Sequence, residues 1–180
     1  MKSAVVVTGL PASGKTTVGK QIAEALSFDF LDKDDFLERL YDERGVDSWD
    51  ERKTLSRESD LHFQRAAMAR QSAVLVSHWR PRGDETDSGT PAHWITSSYQ
   101  RVVEVHCQCD PETATKRFLQ RRRHPGHFDL TRDPEEHLLK MRRFADGYPL
   151  NVGRVVNWDS QNGSISELIN QVQKLLKRPV

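Results

Sequence analysis

The sequence predicts an α/β fold: a parallel sheet covered by helices on both faces. Two observations point there. Short apolar runs rich in β-branched residues alternate along the chain with segments of helical periodicity. The runs are apolar at consecutive positions, as strands buried on both sides must be. No repeat, low-complexity tract or linker divides the 180 residues, so residues 1–180 read as one domain.

The elements follow in order. Residues 4–8 form an apolar run stopped by Gly9, and after a glycine-rich turn Val18, Ile22, Ala25 and Leu26 recur at helical spacing. Residues 28–31 read as a second short strand and 35–41 as the start of another helix. Residues 55–71 read as a longer helix with Leu61, Phe63, Ala66, Ala67 and Met68 as buried candidates. Residues 73–77 and 102–107 are further buried strands, and 155–158 is the last, before a helix over 165–176. Residues 79–92 are the longest stretch without periodicity, rich in Gly, Pro, Asp, Ser and Thr, and loops of that length are commonly functional.

Composition excludes several classes. At 36% hydrophobic and 29% charged residues, with a mean hydropathy of -0.70, the chain sits at the polar end of soluble globular proteins. Its aliphatic run Ala4-Val5-Val6-Val7 is far short of the roughly 20 residues that span a bilayer and too short for a signal-peptide core. Neither a membrane location nor export is expected. Cys107 and Cys109 are next-but-one neighbours and no disulfide framework, which fits a cytoplasmic location. The formal net charge of +1 provides no global field for nucleic acid. Locally the charges separate. Residues 32–60 are acidic on balance, whereas 113–128 hold no acid but carry Lys116, Arg117, Arg121, Arg122 and Arg123. That basic run is either a solvated helix face or part of a loop that closes over phosphate.

Gly9-Leu10-Pro11-Ala12-Ser13-Gly14-Lys15-Thr16 is a complete G-x-x-x-x-G-K-[ST] pattern between a strand and a helix. Glycines let backbone N–H groups turn around a phosphate, and the helix N-terminus adds positive potential. Lys15 reaches the β- and γ-phosphates, and the Thr16 hydroxyl ligates Mg²⁺. With Thr17, these residues form the candidate nucleotide site. On this motif and the order of elements the chain resembles the P-loop nucleoside-triphosphatase superfamily. Within it, the chain resembles the small kinases: gluconate and shikimate kinases, chloramphenicol phosphotransferase and the polynucleotide 5′-kinase domain. The resemblance implies a three-layer sandwich like that of nucleoside-monophosphate kinases, with a five-stranded parallel sheet and the P-loop strand in its middle. It also implies ATP as phosphoryl donor and a small hydroxyl compound as acceptor.

Leu31-Asp32-Lys33-Asp34-Asp35-Phe36 follows the second strand. A carboxylate there can orient an acceptor hydroxyl and take its proton. Similarity to the Arg-Asp-Asp run of the polynucleotide kinase domain, with Lys33 in place of the arginine, nominates Asp34; Asp35 is left to cap the next helix. Asp110-Pro111 opens a further helix on which Arg117 and Arg121 share a face. Their spacing resembles the lid of adenylate kinases, which implies that Arg117 stacks on adenine and Arg121 binds phosphate, with a short arginine-rich lid over about 121–134. Arg142 and Arg143, after Asp133-Pro134-Glu135, are candidates to reach the transferred group.

Trp79, Arg80 and Arg82 on one limb of the long loop, with Asp87 to Pro91 on the other, are candidate acceptor contacts, Trp79 for packing and the arginines for an anion; the alternative is a Pro/Gly-rich surface loop with Trp79 in the core. Zinc is disfavoured, since Cys107-x-Cys109 lacks the spacing of a knuckle. Two departures from the family pattern stand out. The third strand ends in Ser77-His78 without the aspartate that commonly holds the Mg²⁺ shell, leaving Ser77, His78 or an aspartate of the second motif to substitute. No Asn/Thr-Lys-x-Asp tetrapeptide is present, which favours ATP over GTP. The expected activity is therefore transfer of the γ-phosphoryl of Mg·ATP, with Lys15, Asp34 and Arg121 as the catalytic set. The alternatives are a polynucleotide or nucleotide kinase, against which the near-neutral charge argues, and a non-catalytic ATP-binding regulatory or toxin-like module. The acceptor's identity and the oligomeric state are not encoded in any motif.

Overall fold

The computed structural model describes residues 1–86 and 88–177, with the side chain of Leu130 left out. Five strands, β1 (Ser3–Thr8), β2 (Asp29–Asp32), β3 (Ser72–Val76), β4 (Arg101–Gln108) and β5 (Arg154–Asp159), form one parallel sheet in the order β2-β3-β1-β4-β5. β1 lies in the middle, paired with β3 on one side and β4 on the other. The helices are α1 (Lys15–Leu26), α2 (Lys33–Arg44), α3 (Trp49–Met68), α4 (Ile95–Ser98), α5 (Pro111–Gln120), α6 (Pro134–Ala145) and α7 (Ile165–Lys177).

The consecutive apolar residues of β1 serve two cores at once, because side chains alternate across a strand. Ala4 and Val6 join a cluster with Phe63, Trp79 and Phe144, while Val5 and Val7 join Val18, Ile22 and Val172 on the other face. Every residue from Ala4 to Val7 is completely buried. At about 1.5–3 kcal/mol per fully buried valine, this strand anchors both layers and holds the loop that follows it.

Helix α3 begins six residues before its apolar periodicity does. Ser48 and Glu51 form a reciprocal capping box there, and the polar first turns carry no hydrophobic signal. Its inward stripe is Leu55, Ser59, Phe63 and Ala67, four apart. Leu61 and Met68, predicted buried, stand 54% and 45% exposed because they fall a quarter-turn or more from that stripe. α2 packs on α3 through Leu37, Leu40, Tyr41 and Leu55, a small third core beyond the sheet.

The long loop is pinned rather than loose. Trp79 and Thr90 bridge, Arg80 N–H donates to Thr90 O and Thr90 N–H donates to His78 O at 2.9 and 2.8 Å. Glu104, fully buried on β4, ties the segment before β5 to the sheet. Its carboxylate accepts from the Thr8 hydroxyl at 2.8 Å and from the backbone N–H groups of Leu150 and Val152 at 2.6 and 3.1 Å.

Candidate functional site

The carboxyl end of β1 opens into a cleft of about 690 Å³, in the range of small-molecule sites. The P-loop forms its floor. Gly9 has φ +128°, and a Cβ there would stand 2.5 Å from Cys107 O, so both conformation and space demand glycine. Gly14 caps α1 in the left-handed region with no side-chain hydrogen bond to the first turn. By contrast α2, α3, α5 and α6 are each capped by a side chain, from Asp32, Ser48, Asp110 and Asp133. The first-turn N–H groups of α1 are thus left to an anion. Lys15 Nζ donates to Gly9 O and Leu10 O at 3.0 and 2.7 Å, and burial lowers its pKa to about 8. Pro11, Ala12, Gly14, Lys15, Thr16 and Thr17 line the cleft; Leu10 lines an adjoining pocket; Gly9 and Ser13 lie behind. The buried Ser13 Oγ has no hydrogen-bond partner.

At the end of β2 the three aspartates divide their work. Asp32 accepts from Thr16 Oγ1 at 2.7 Å and from the N–H of Asp34 at 3.1 Å, so it caps α2 and meets the P-loop at once. Burial, then the neighbouring Asp34, raises its pKa to about 6. A buried carboxylate paired with a hydroxyl, and strained by the loss of water, is the hard-oxygen donor set that suits Mg²⁺. Of the candidates for the missing third-strand aspartate, Asp32 is the one beside Thr16. Ser77 is hydrogen-bonded to Thr90, and burial, then Lys15, drives the His78 pKa to about 3. Asp35, predicted to cap, is exposed in the first turn of α2; the cap is Asp32, which precedes the helix.

Asp34 faces the cleft and pairs with Arg123 of the lid. Burial works to raise its pKa, but Arg123 foremost, then His127, Lys33 and Arg121, holds it at about 2. The lid, between α5 and α6, carries 3₁₀ turns at Pro125–His127 and Asp129–Thr131. It is docked on α2 and α3. His127 Nε2 meets Glu38 at 2.9 Å, His124 Nε2 meets Asp42 at 3.1 Å, and the two imidazoles flank the Tyr41 ring. Phe128 packs edge-on against Trp49, with centroids 5.2 Å apart.

Arg121 lines the cleft, held to Asp129 at 3.4 Å and stacked 4.2 Å over Phe118. Burial, then repulsion from Arg123, lowers its pKa to about 10. Arg117 also lines the cleft, and its Nη1 lies 3.8 Å from Cys109 Sγ, whose residue lines the adjoining 450 Å³ pocket at the ends of β4 and β5. Arg122 is exposed. Arg142 is engaged at 2.7 Å with Glu112, and neither it nor Arg143 lines the cleft. One face over, α6 presents His137, Lys140, Met141 and Phe144 instead, so the helical phase missed by two or three positions.

The acceptor contacts predicted on the outgoing limb of the long loop are corrected. Trp79 is fully buried in the core, where Nε1 donates to Val7 O at 2.9 Å; Arg80 and Arg82 do not line the cleft. The apolar indole is needed to fill the layer between β1 and α3, with Phe63 5.8 Å away. The returning limb lines the site through Thr86, Ser88, Gly89 and Thr90, while Asp87 lies outside the described residues.

Sequence reading missed a buried polar network beside Asp34. Asp60 accepts from Thr90 Oγ1 at 2.7 Å and Arg57 Nη1 at 3.2 Å, and lies 3.7 Å from Lys33 Nζ, which donates to Ser56 Oγ at 2.7 Å. The available signal was Ser59-Asp60, two polar residues where α3 should turn apolar side chains inward. Trp49, Arg52, Asp129 and Arg132, also in the cleft, carried no motif.

An AAA domain family profile matches residues 5–147. The probable gluconokinase of Xenopus tropicalis is 27% identical over 138 residues, 69% of this chain and 70% of that protein. The shikimate kinase of Thermoanaerobacter pseudethanolicus is 50% identical over 36 residues, 20% of this chain and 21% of that enzyme, so the match spans about a fifth of its length. Among solved structures, a candidate kinase from Chloroflexus aurantiacus superposes with a TM-score of 0.80 at 22% identity, over 98% of this chain and 99% of that one. A shikimate kinase from Acinetobacter baumannii in complex with shikimate does so with a TM-score of 0.59 at 20% identity, over 97% and 91%.

Proposed function

The chain belongs to the AAA domain family, and from that premise we propose that it is a kinase that moves the γ-phosphoryl of Mg·ATP to a hydroxyl group of a small molecule. The observation that carries the reading is the pair of carboxylates two residues apart at the end of β2: Asp32 against Thr16 of the P-loop, and Asp34 facing the cleft. The name of the probable gluconokinase that matches 69% of the chain supports it.

In this reading the P-loop amides and Lys15 hold the β- and γ-phosphates, and Arg117 covers the adenine at the adjoining pocket. Thr16 and Asp32 would hold Mg²⁺, which supplies charge neutralisation on the phosphates. Asp34 orients the acceptor hydroxyl and takes its proton as the oxygen bonds to the γ-phosphorus and the bond to the β-phosphate oxygen breaks. Lys15 and Arg121 offset the charge that builds between them. The Asp60 network shapes the wall against which the acceptor lies.

The test is Asp34→Asn assayed for ATP binding and for acceptor-stimulated ADP release. Binding close to wild type with turnover at least ~100-fold lower is expected for loss of a general base. Undiminished turnover would remove Asp34 from the mechanism. ATP binding without turnover on any acceptor pool in the wild type would favour the regulatory reading.

A further inference from the structure

Ten basic and four acidic residues line the cleft of a chain whose net charge is +1. Part of that excess serves a nucleotide, at Lys15, Arg117 and Arg121. Another part lies elsewhere. Arg52 in the first turn of α3 and Arg132 of the lid both place their guanidinium groups over the ring of Trp49, at 5.3 and 5.0 Å from its centroid. Trp49 is 47% exposed at the cleft rim. Lys140 of α6 lines the same cleft, its ammonium 5.2 Å over Phe144. Three separate elements therefore contribute a cation each.

These cations are short of counter-charge. Among the described residues neither Arg52 nor Lys140 forms an ion pair with a carboxylate; Asp84 attracts Lys140 only from farther off, and Asp50 is the one further acid lining the cleft on α3. The carboxylate of Arg132 is Asp129, whose Oδ1 lies 3.8 Å from Arg132 Nε, beyond hydrogen-bond distance, while its Oδ2 is shared by Arg121 and Arg123. Arg52 Nε and Arg132 Nε are buried with no hydrogen-bond partner. Burial, then repulsion from Arg132, lowers the pKa of Lys140, and burial, then Arg52, lowers that of Arg132. Gathering like charges and orphaned donors is destabilising, and a bound oxyanion relieves both penalties.

Resting on the kinase reading, we propose that Arg52, Arg132 and Lys140 form an acceptor subsite beside Trp49 that takes the phosphate group of a phosphomonoester. The choice of phosphate follows from stoichiometry. A dianion with three terminal oxygens meets two guanidinium forks and an ammonium, whereas a carboxylate brings one charge and two oxygens. Trp49 supplies an apolar face for the part of the acceptor next to that phosphate.

The test is thermal unfolding of the full chain saturated with Mg·ADP, titrated with inorganic phosphate at ionic strength held constant with chloride. Phosphate tenfold above its apparent Kd is expected to raise Tm by a further ~3–5 °C, and acetate by less than half as much. Arg52→Gln and Lys140→Ala should each lose most of the phosphate increment while keeping the Mg·ADP increment. Unliganded Arg52→Gln should melt no lower than wild type, since it removes a repelled cation. A full phosphate increment in both variants, or none in the wild type, overturns the proposal. The readout needs no turnover: phosphate binding here in a protein that transfers no phosphoryl group sinks the kinase reading and leaves the subsite standing. Turnover confined to uncharged acceptors, with no phosphate increment, does the reverse.

Discussion

The Arg123 guanidinium of the lid holds the Asp34 carboxylate of α2, so the side chain proposed as proton acceptor is covered by an arginine. The pair couples lid position to basicity. With Arg123 engaged, Asp34 has a pKa of about 2 and is a poor base; in the proposed mechanism, transfer of Arg123 to a phosphate would restore its strength.

Arg123→Gln is expected to raise the Asp34 pKa. Activity that needs the carboxylate is lost as pH falls through that pKa, so the acid limb of the kcat/KM profile should move to higher pH. The stability sign agrees. A carboxyl lowered from 3.8 to about 2 contributes stability above its unfolded value, which is lost as pH falls toward 2. The variant should lie below wild type in Tm near neutrality and converge with it in acid. An unmoved acid limb would show that Asp34 is not the titrating group.

Asp32 has the opposite sign. Raised to about 6, it contributes stability that is present below about 3.8 and lost as pH rises through 6, and a bound cation reverses that loss. The extra Tm rise of Mg·ADP over ADP alone should therefore be larger at about pH 7.5 than at pH 5. Asp32→Asn should abolish the difference. Retention of a full Mg²⁺ increment in Asp32→Asn would place the metal elsewhere.

Glu104→Ala leaves the Thr8 hydroxyl and two backbone N–H groups without their buried acceptor. Unfolding in urea should register a loss of about 2–4 kcal/mol, with nucleotide affinity at the P-loop little changed. A neutral outcome would mean that water replaces the carboxylate.

Trp79 and Trp94 are buried in the core, whereas Trp49 packs on Phe128 of the lid. Nucleotide-induced lid movement should therefore appear mainly in Trp49 emission. Trp49→Phe is expected to remove most of the fluorescence change on Mg·ATP addition, and a signal undiminished by that variant would assign the motion to Trp158 or the core.

The local parts of this protein were legible without coordinates. A phosphate loop is a contiguous backbone device, so Gly9 to Thr16 announces itself in eight residues, and strands buried on both faces announce themselves as apolar runs at 4–8 and 73–77. Asp34 stood out because the run Lys33-Asp34-Asp35 after a strand resembles the Arg-Asp-Asp run of the polynucleotide kinase domain. Which face a side chain takes in a loop, and which arginine of a run reaches inward, depend on contacts between distant segments. Trp79 was drawn into the core by the space between β1 and α3, Lys140 rather than Arg142 was turned to the cleft by the seating of α6, and Arg123 met Asp34 across 89 positions of sequence. The Asp60 network and the cations around Trp49 come from four separate elements, and no spacing along the chain encodes a cluster that exists only once the sheet has brought those elements to one end.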